Sequence, residues 1–258
     1  MKEEKFRIVP IPRQRRFALD AGRLGRGKHI VHGLAEVDVT DARRIISQHE
    51  QQTGERLSFT AFIINCLGEA INKHKALHAY RNWKGQLVIF EDVNIATMIE
   101  GTLDGKLVPM PYVFKGVNNK PYRALHEEIR EVQSTPIESP GGRFMGWFLY
   151  LPWIVRRPIY WMVLRMPQRY RTYSSSVMVT AVGMFSRGAS WGIPRPSFTL
   201  TVTVGGIAEK PGVVKGQIAV REYLHLTVSV DHDIVDGAPI ARFGNELMSL
   251  IEQAYGLQ

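Results

Sequence analysis

The sequence predicts an α/β fold, because both kinds of element can be recognised along one chain. At residues 223–230 apolar and polar side chains alternate, which is the period of two expected for a half-buried strand. A helix follows Gly237, and its apolar residues recur at spacings of three and four: Ile240, Phe243, Leu247 and Leu250. A second run with helical spacing lies at residues 59–71. Strands and amphipathic helices therefore share one core.

The chain has 258 residues, close to the upper size for one hydrophobic core. It contains no Pro/Gly/Ser-rich linker and no repeat with a period of 20 to 50 residues. We therefore expect a single domain over residues 1–258.

Charge and cysteine content restrict the partners and the compartment. The formal net charge of +9 favours an acidic partner such as a phosphorylated cofactor or an anionic membrane. Nucleic acid is not expected, because no recognised binding motif accompanies the charge. Cys66 is the single cysteine, and no Cys/His cluster has metal-ligand spacing. We expect a cytoplasmic protein without a metal.

The elements before residue 135 follow from local patterns. Basic residues dominate the start of the chain, either as a solvated arm or as a contact with phosphate or membrane. A strand is predicted at residues 29–39 and a helix at residues 41–52. Ser58 or Thr60 caps the next helix, and Pro121 suits the first turn of a helix at residues 121–133. The basic residues of the arm are Arg13, Arg15, Arg16, Arg23, Arg26 and Lys28.

The switch from strand to helix near residue 232 carries the pattern His-x-x-x-Asp-Gly, from His232 to Gly237. One interpretation is structural, with Asp236 as a helix N-cap and Gly237 in a tight turn. The other interpretation is catalytic. Since His232 shares the parity of the apolar set, its side chain is expected to point inward.

Residues 231–243, DHDIVDGAPIARF, resemble the active-site segment of the acyltransferase catalytic domains of 2-oxo acid dehydrogenase complexes, and more distantly that of chloramphenicol acetyltransferase. Residues 93–96 with 105–109 and residues 179–185 resemble further strands of that family. Residues 198–207 with 209–211 resemble its next two strands. The resemblance implies a chloramphenicol acetyltransferase-like fold, with a mixed sheet flanked by helices.

The same resemblance implies CoA-dependent acyl transfer, with coenzyme A or acyl-CoA as substrate and a thiol as acceptor. His232 would be the general base, and a neutral imidazole has a suitable proton affinity. Thr180 lies where family members carry an active-site hydroxyl, which would stabilise the oxyanion. Asp236 would stiffen the turn through hydrogen bonds.

Two residues near this site depart from the family pattern. Asp233 stands where the dehydrogenase enzymes usually carry Arg, and a carboxylate there is expected to raise the pKa of His232. Ala181 replaces the usual Asn beside Thr180.

The resemblance also implies assembly. Family domains form trimers with the active site between subunits, and some trimers build larger cores. The sequence contains no lipoyl domain, subunit-binding domain or flexible Ala/Pro linker, so acyl groups are expected from CoA or a separate carrier. The alternative is a catalytically inactive trimeric scaffold that kept the fold.

Residues 141–173 depart most from the family. The apolar run at residues 144–155 is too short to span a membrane, which requires about 20 residues. Tryptophans and arginines alternate here, as in segments that lie at a membrane interface. We therefore expect a helical insert that contacts either a membrane surface, as a peripheral protein would, or another protein. The residues concerned are Trp147, Trp153, Trp161, Arg156, Arg157, Arg165, Arg169 and Arg171.

Overall fold

The protein was analysed as a computed structural model, which describes residues 7, 14–103, 106–134, 148, 150–170, 175–183, 188–195 and 197–257. The helices are α1 (Gln14–Leu24), α2 (Thr40–Thr53), α3 (Phe59–Lys73), α4 (Tyr122–Ser134), α5 (Trp153–Arg165), α6 (Pro167–Tyr170) and α7 (Gly237–Glu252). The strands are β1 (Ile30–Asp38), β2 (Tyr80–Arg81), β3 (Leu87–Val88), β4 (Ile95–Leu103), β5 (Lys106–Phe114), β6 (Val177–Ala181), β7 (Leu200–Val214) and β8 (Gln217–Asp231).

The main sheet has the strand order β1-β8-β7-β6-β4-β5 over the described residues. Strand β6 runs parallel to both of its neighbours, β4 and β7, whereas the other pairs are antiparallel. A separate small hairpin joins β2 to β3 through Gly85, which has a φ of 77°. The predicted α/β fold with a mixed sheet is confirmed.

Helix α3 forms the centre of the core on one face of the sheet, in contact with α4 and α7. The Ser58 hydroxyl caps it by accepting a hydrogen bond from the Ala61 N–H at 3.2 Å. The sequence predicted a wide apolar stripe, but residues 61–68 are all buried. A helix surrounded in this way has no solvated face along that stretch.

Strand β7 corrects one expectation about the sheet. Two strands were expected within residues 198–211, but β7 is continuous from Leu200 to Val214. The register shifts between Val204 and Ile207, where Gly205 and Gly206 form a bulge. A bulge bends a strand without ending it, so the chain stays paired with β8.

The described part of the insert is helical and lies against the amino-terminal helix. Arg156 of α5 and Asp20 of α1 form an ion pair at 2.7 Å, with 5% and 1% of the residue exposed. The Trp83 N–H donates to the Arg165 carbonyl at 3.1 Å, which ties the end of α5 to the β2–β3 hairpin. Among the described residues, no helix is long and apolar enough to span a membrane.

Candidate active site

His232 lies at an exposed turn immediately after β8. The chain reverses here because the Asp231 carbonyl accepts hydrogen bonds from the N–H groups of Ile234 at 3.0 Å and Val235 at 3.3 Å. The prediction that His232 points into the core is wrong. Strand parity ends with Asp231, and the turn directs the next side chain to the surface.

Two residues that precede β1 hold this turn. The Lys28 ammonium donates to the buried Asp231 carboxylate at 2.6 Å. The His29 carbonyl accepts from the His232 N–H at 2.8 Å. The His29 ring nitrogen Nδ1 lies 2.9 Å from the Asp233 carboxylate. Lys28 and His29 thus contact three successive residues of the turn, and His232 lies between the Lys28–Asp231 ion pair and the His29–Asp233 hydrogen bond.

Asp233 therefore has a partner other than the proposed base. Its hydrogen bond to His29 lowers the pKa of the Asp233 carboxyl. The same hydrogen bond and the carboxylate charge raise the pKa of His29. The Asp233 carboxylate is thus paired with His29, whose protonated form would balance its charge.

Asp236 occupies the N-cap position of α7, and its carbonyl accepts from the Ile240 N–H at 3.3 Å. Its side chain is exposed and makes no capping hydrogen bond. The N-cap position predicted for Asp236 is confirmed. The expected stiffening of the turn through its carboxylate is absent in the described part of the subunit.

Thr180 belongs to a row of threonines that crosses the sheet. It lies opposite Thr203 in β7, which lies opposite Thr227 in β8. Thr203 and Thr227 are buried, and their hydroxyls have no hydrogen-bond partner among the described residues. Thr180 is half-buried and therefore presents the accessible hydroxyl of the row.

One subunit does not bring Thr180 and His232 together. From the register, Thr180 is two strands away from Thr227, and Asp231 lies four residues beyond Thr227. At about 3.3 Å per residue along a strand and about 4.8 Å between strands, the Cα atoms of Thr180 and Asp231 are about 16 Å apart, and His232 follows in the turn beyond. A site that uses both requires a second copy of the chain.

The polar face of β8 is covered rather than solvated. Trp191 packs edge-on against His225 with 4.1 Å between ring centroids, and the Ser190 carbonyl accepts from the Gly206 N–H at 2.9 Å. The predicted half-buried strand is therefore wrong for the second half of β8, where His225, Thr227, Ser229 and Asp231 are buried. The segment at residues 188–195 provides this cover.

Sequence reasoning missed Lys28 and His29 as parts of the site. A signal existed, since these basic residues directly precede a predicted strand and an acidic pair flanks His232. The pairing of β1 with β8, which places Ile30 opposite Asp231, was not available from spacing alone. In the described residues no group of three His, Cys, Asp or Glu side chains could hold a metal.

Comparison with known proteins bears on this arrangement. Residues 172–257 match the family model described as 2-oxoacid dehydrogenases acyltransferase (catalytic domain). The resemblance predicted from the sequence is confirmed. Relatives of this family include the dihydrolipoyllysine-residue acetyltransferase component of the Mycoplasma pneumoniae pyruvate dehydrogenase complex, which is 24% identical over 246 residues, 94% of this chain and 50% of that protein. The chain spans about half the length of the curated relatives it matches.

Solved acyltransferase structures show the same fold. Azotobacter vinelandii dihydrolipoamide acetyltransferase superposes with a TM-score of 0.71 at 17% identity, covering 99% of this chain and 95% of that chain. A chain of the cubic core of a pyruvate dehydrogenase complex gives the same values. A chloramphenicol acetyltransferase has a TM-score of 0.51 at 12% identity, covering 94% and 96%. The predicted chloramphenicol acetyltransferase-like fold is confirmed.

Proposed function

We propose that this protein is a CoA-dependent acyltransferase, with His232 as general base and Thr180 as the oxyanion donor. The substrates would be an acyl-CoA and a thiol acceptor, such as a dihydrolipoyl group on a separate carrier. The exposed turn places the His232 imidazole at the protein surface, where a large thiol substrate can reach it.

One correspondence carries the proposal. In the Azotobacter vinelandii enzyme, a serine, a histidine 52 positions later and an asparagine four positions after that have been investigated for their roles in the catalytic mechanism. Here Thr180 precedes His232 by 52 positions, and Asp236 follows it by four. Hydroxyl, imidazole and a short polar side chain thus recur at the same spacing on the same fold.

The chemistry requires no covalent bond to the protein. The neutral His232 imidazole accepts the proton of the attacking thiol, and the thiolate adds to the thioester carbonyl. The Thr180 hydroxyl donates a hydrogen bond to the oxyanion of the tetrahedral intermediate. When the intermediate collapses, the C–S bond to the original thiol breaks and the imidazolium returns the proton to that leaving thiol.

The separation of Thr180 from His232 in one subunit favours a site shared between copies of the chain. The family resemblance implies that this assembly is a homotrimer, in which His232 faces the Thr180 of a neighbouring chain. Larger assemblies of trimers are compatible with the same contact. We also propose a cytoplasmic location, which the single buried thiol of Cys66 favours.

Acyl exchange between acetyl-CoA and dihydrolipoamide tests the function. We expect turnover by the wild type and by His49→Ala, a control variant of a half-buried histidine in α2, and none by His232→Ala at the same oligomeric state. A rise in melting temperature with CoA is expected for all three, since a ligand at 100 times its Kd adds about 2.7 kcal/mol. No turnover and no CoA binding by the wild type would favour the inactive scaffold instead.

A further inference from the structure

Helix α5 has its charged and apolar residues in the reverse of their usual places. Arg156 is 5% exposed, whereas Ile154 is 82% exposed. Arginine is rarely buried unless it is paired, and isoleucine is among the residues most often found inside proteins. The ion pair with Asp20 explains why Arg156 faces inward. The exposed face of α5 therefore carries a large apolar side chain where a charged one would be expected.

Three exposed apolar residues of α5 lie on one side of the helix, whereas Val155, which is 46% exposed, lies outside this face. Trp161 and Leu164 follow Ile154 by seven and ten positions, which at 3.6 residues per turn places them on the same face. They are 48% and 39% exposed. Arg157 lies between Trp161 and Leu164 on this face, and Arg165 lies beside Ile154, so aliphatic, aromatic and guanidinium groups are presented together.

The stretch of sequence that contains α5 carries charges of a single sign. From Glu138 to Glu209 the intervening sequence contains eight arginines and no Asp or Glu. Among the described residues, the carboxylate that forms an ion pair with α5 is that of Asp20, which is buried and pairs with Arg156. A surface that combines apolar groups with arginines alone is complementary to an anionic one.

The dimensions of the helix favour a position in the plane of a bilayer. With 13 residues, α5 is about 20 Å long and too short to cross the hydrocarbon region. Pro158 lies on the exposed side and has no N–H, so the Ile154 carbonyl lacks its usual helical donor. Such a carbonyl is tolerated among hydrated headgroups but is costly in hydrocarbon.

We propose that the exposed face of α5 docks on the surface of a bilayer that contains anionic lipid. Ile154, Trp161 and Leu164 insert between the acyl chains near the headgroups, and Arg157 and Arg165 bind lipid phosphates. The inference is independent of the proposed acyl transfer, because it uses no residue of the candidate active site.

Sedimentation with vesicles tests the proposal on the full chain. We expect binding to vesicles of phosphatidylcholine mixed with an equal amount of phosphatidylglycerol, and much weaker binding to phosphatidylcholine alone. Ile154→Asn should weaken partitioning about tenfold, because one inserted isoleucine is removed. The matched control is Ile218→Asn, since Ile218 in β8 is also 82% exposed. The control should bind like the wild type.

A charge reversal gives an independent readout. Arg157→Glu should abolish the preference for anionic vesicles, whereas Arg242→Glu, at an exposed position of α7, should keep it. Equal binding by Ile154→Asn and Ile218→Asn, or no binding by the wild type, would overturn the proposal. So would a loss of oligomer mass in Ile154→Asn by analytical ultracentrifugation, which would make this face a subunit contact.

Discussion

The Nδ1 atom of His29 lies 2.9 Å from the Oδ1 atom of Asp233, and the carbonyl of the same histidine accepts a hydrogen bond from the His232 N–H. His29 therefore contacts both the proposed base, His232, and its acidic neighbour, Asp233. Protonation of His29 strengthens its contact with the Asp233 carboxylate, and this contact raises the pKa of His29.

The first prediction concerns pH. Because the folded-state pKa of His29 is raised above 6.5, its contribution to stability is fully present below pH 6.5 and is lost as pH rises through the raised pKa. Because the pKa of Asp233 is lowered below 3.8, its contribution is present above that value and is lost in stronger acid.

Thermal unfolding of the wild type and of His29→Gln measures this effect. The difference in melting temperature should be larger near about pH 5 than near about pH 9, and added salt should reduce it because the pair is exposed. A difference that does not change with pH would contradict the assignment.

The second prediction concerns the buried Asp231 carboxylate. Lys28→Met should lower the free energy of unfolding by about 1–3 kcal/mol, because Asp231 loses the charged donor at 2.6 Å. The double variant Lys28→Met/Asp231→Asn should recover part of that loss, because a neutral amide is cheaper to bury than a carboxylate. Urea unfolding measures the free energy of unfolding of each variant. If Lys28→Met is as stable as the wild type, the Lys28–Asp231 pair does not contribute to stability.

The third prediction separates two threonines of one row. Thr180→Val should reduce kcat about a hundredfold to a thousandfold, because the oxyanion loses its donor, and Thr180→Ser should retain most activity. Thr203→Val is the matched control. Its hydroxyl is buried without a described partner, so stability should be equal or higher by about 1 kcal/mol, with normal turnover. Equal losses in both valine variants would indicate a packing effect.

The fourth prediction tests whether two subunits form one site. His232→Ala and Thr180→Val trimers should each be inactive or nearly so. When they are unfolded, mixed in equal amounts and refolded, about a quarter of the interfaces should combine an intact His232 with an intact Thr180. Exchange activity should recover to about that fraction of the wild type, whereas a site within one subunit would give no recovery.

The fifth prediction concerns the pair between Arg156 and Asp20. Arg156→Met should destabilise the protein by about 3 kcal/mol, since it leaves a carboxylate that is 1% exposed without its main partner. Arg157→Met, at the exposed neighbouring position, should change stability by less than about 0.5 kcal/mol. Denaturant unfolding with m-values checks both, and similar effects of the two variants would refute the buried pair.

Local patterns were enough to predict several elements. Helix α3 and strand β8 were recognised because their apolar residues repeat at spacings of three to four and of two, and the structure places both in the core. Thr180 was identified through family resemblance alone, since a threonine in a strand usually reflects β-propensity.

The remaining features depend on contacts between distant residues. The exposure of His232 depends on where β8 ends, and that position is set by a turn that Lys28 stabilises from 203 positions away. The inward direction of Arg156 depends on Asp20 in another helix, so no pattern within α5 could predict it. Contacts of this kind require the tertiary structure.

The burial of Cys66 has a practical consequence for tests of the exposed face of α5. Its side chain is fully buried, and burial raises the pKa of the thiol. Because Cys66 is the single cysteine of the chain, we expect the folded protein to react very slowly with thiol reagents. A cysteine introduced in place of Ile154 would therefore be the accessible thiol of the folded chain and would take up a fluorescent label at that position.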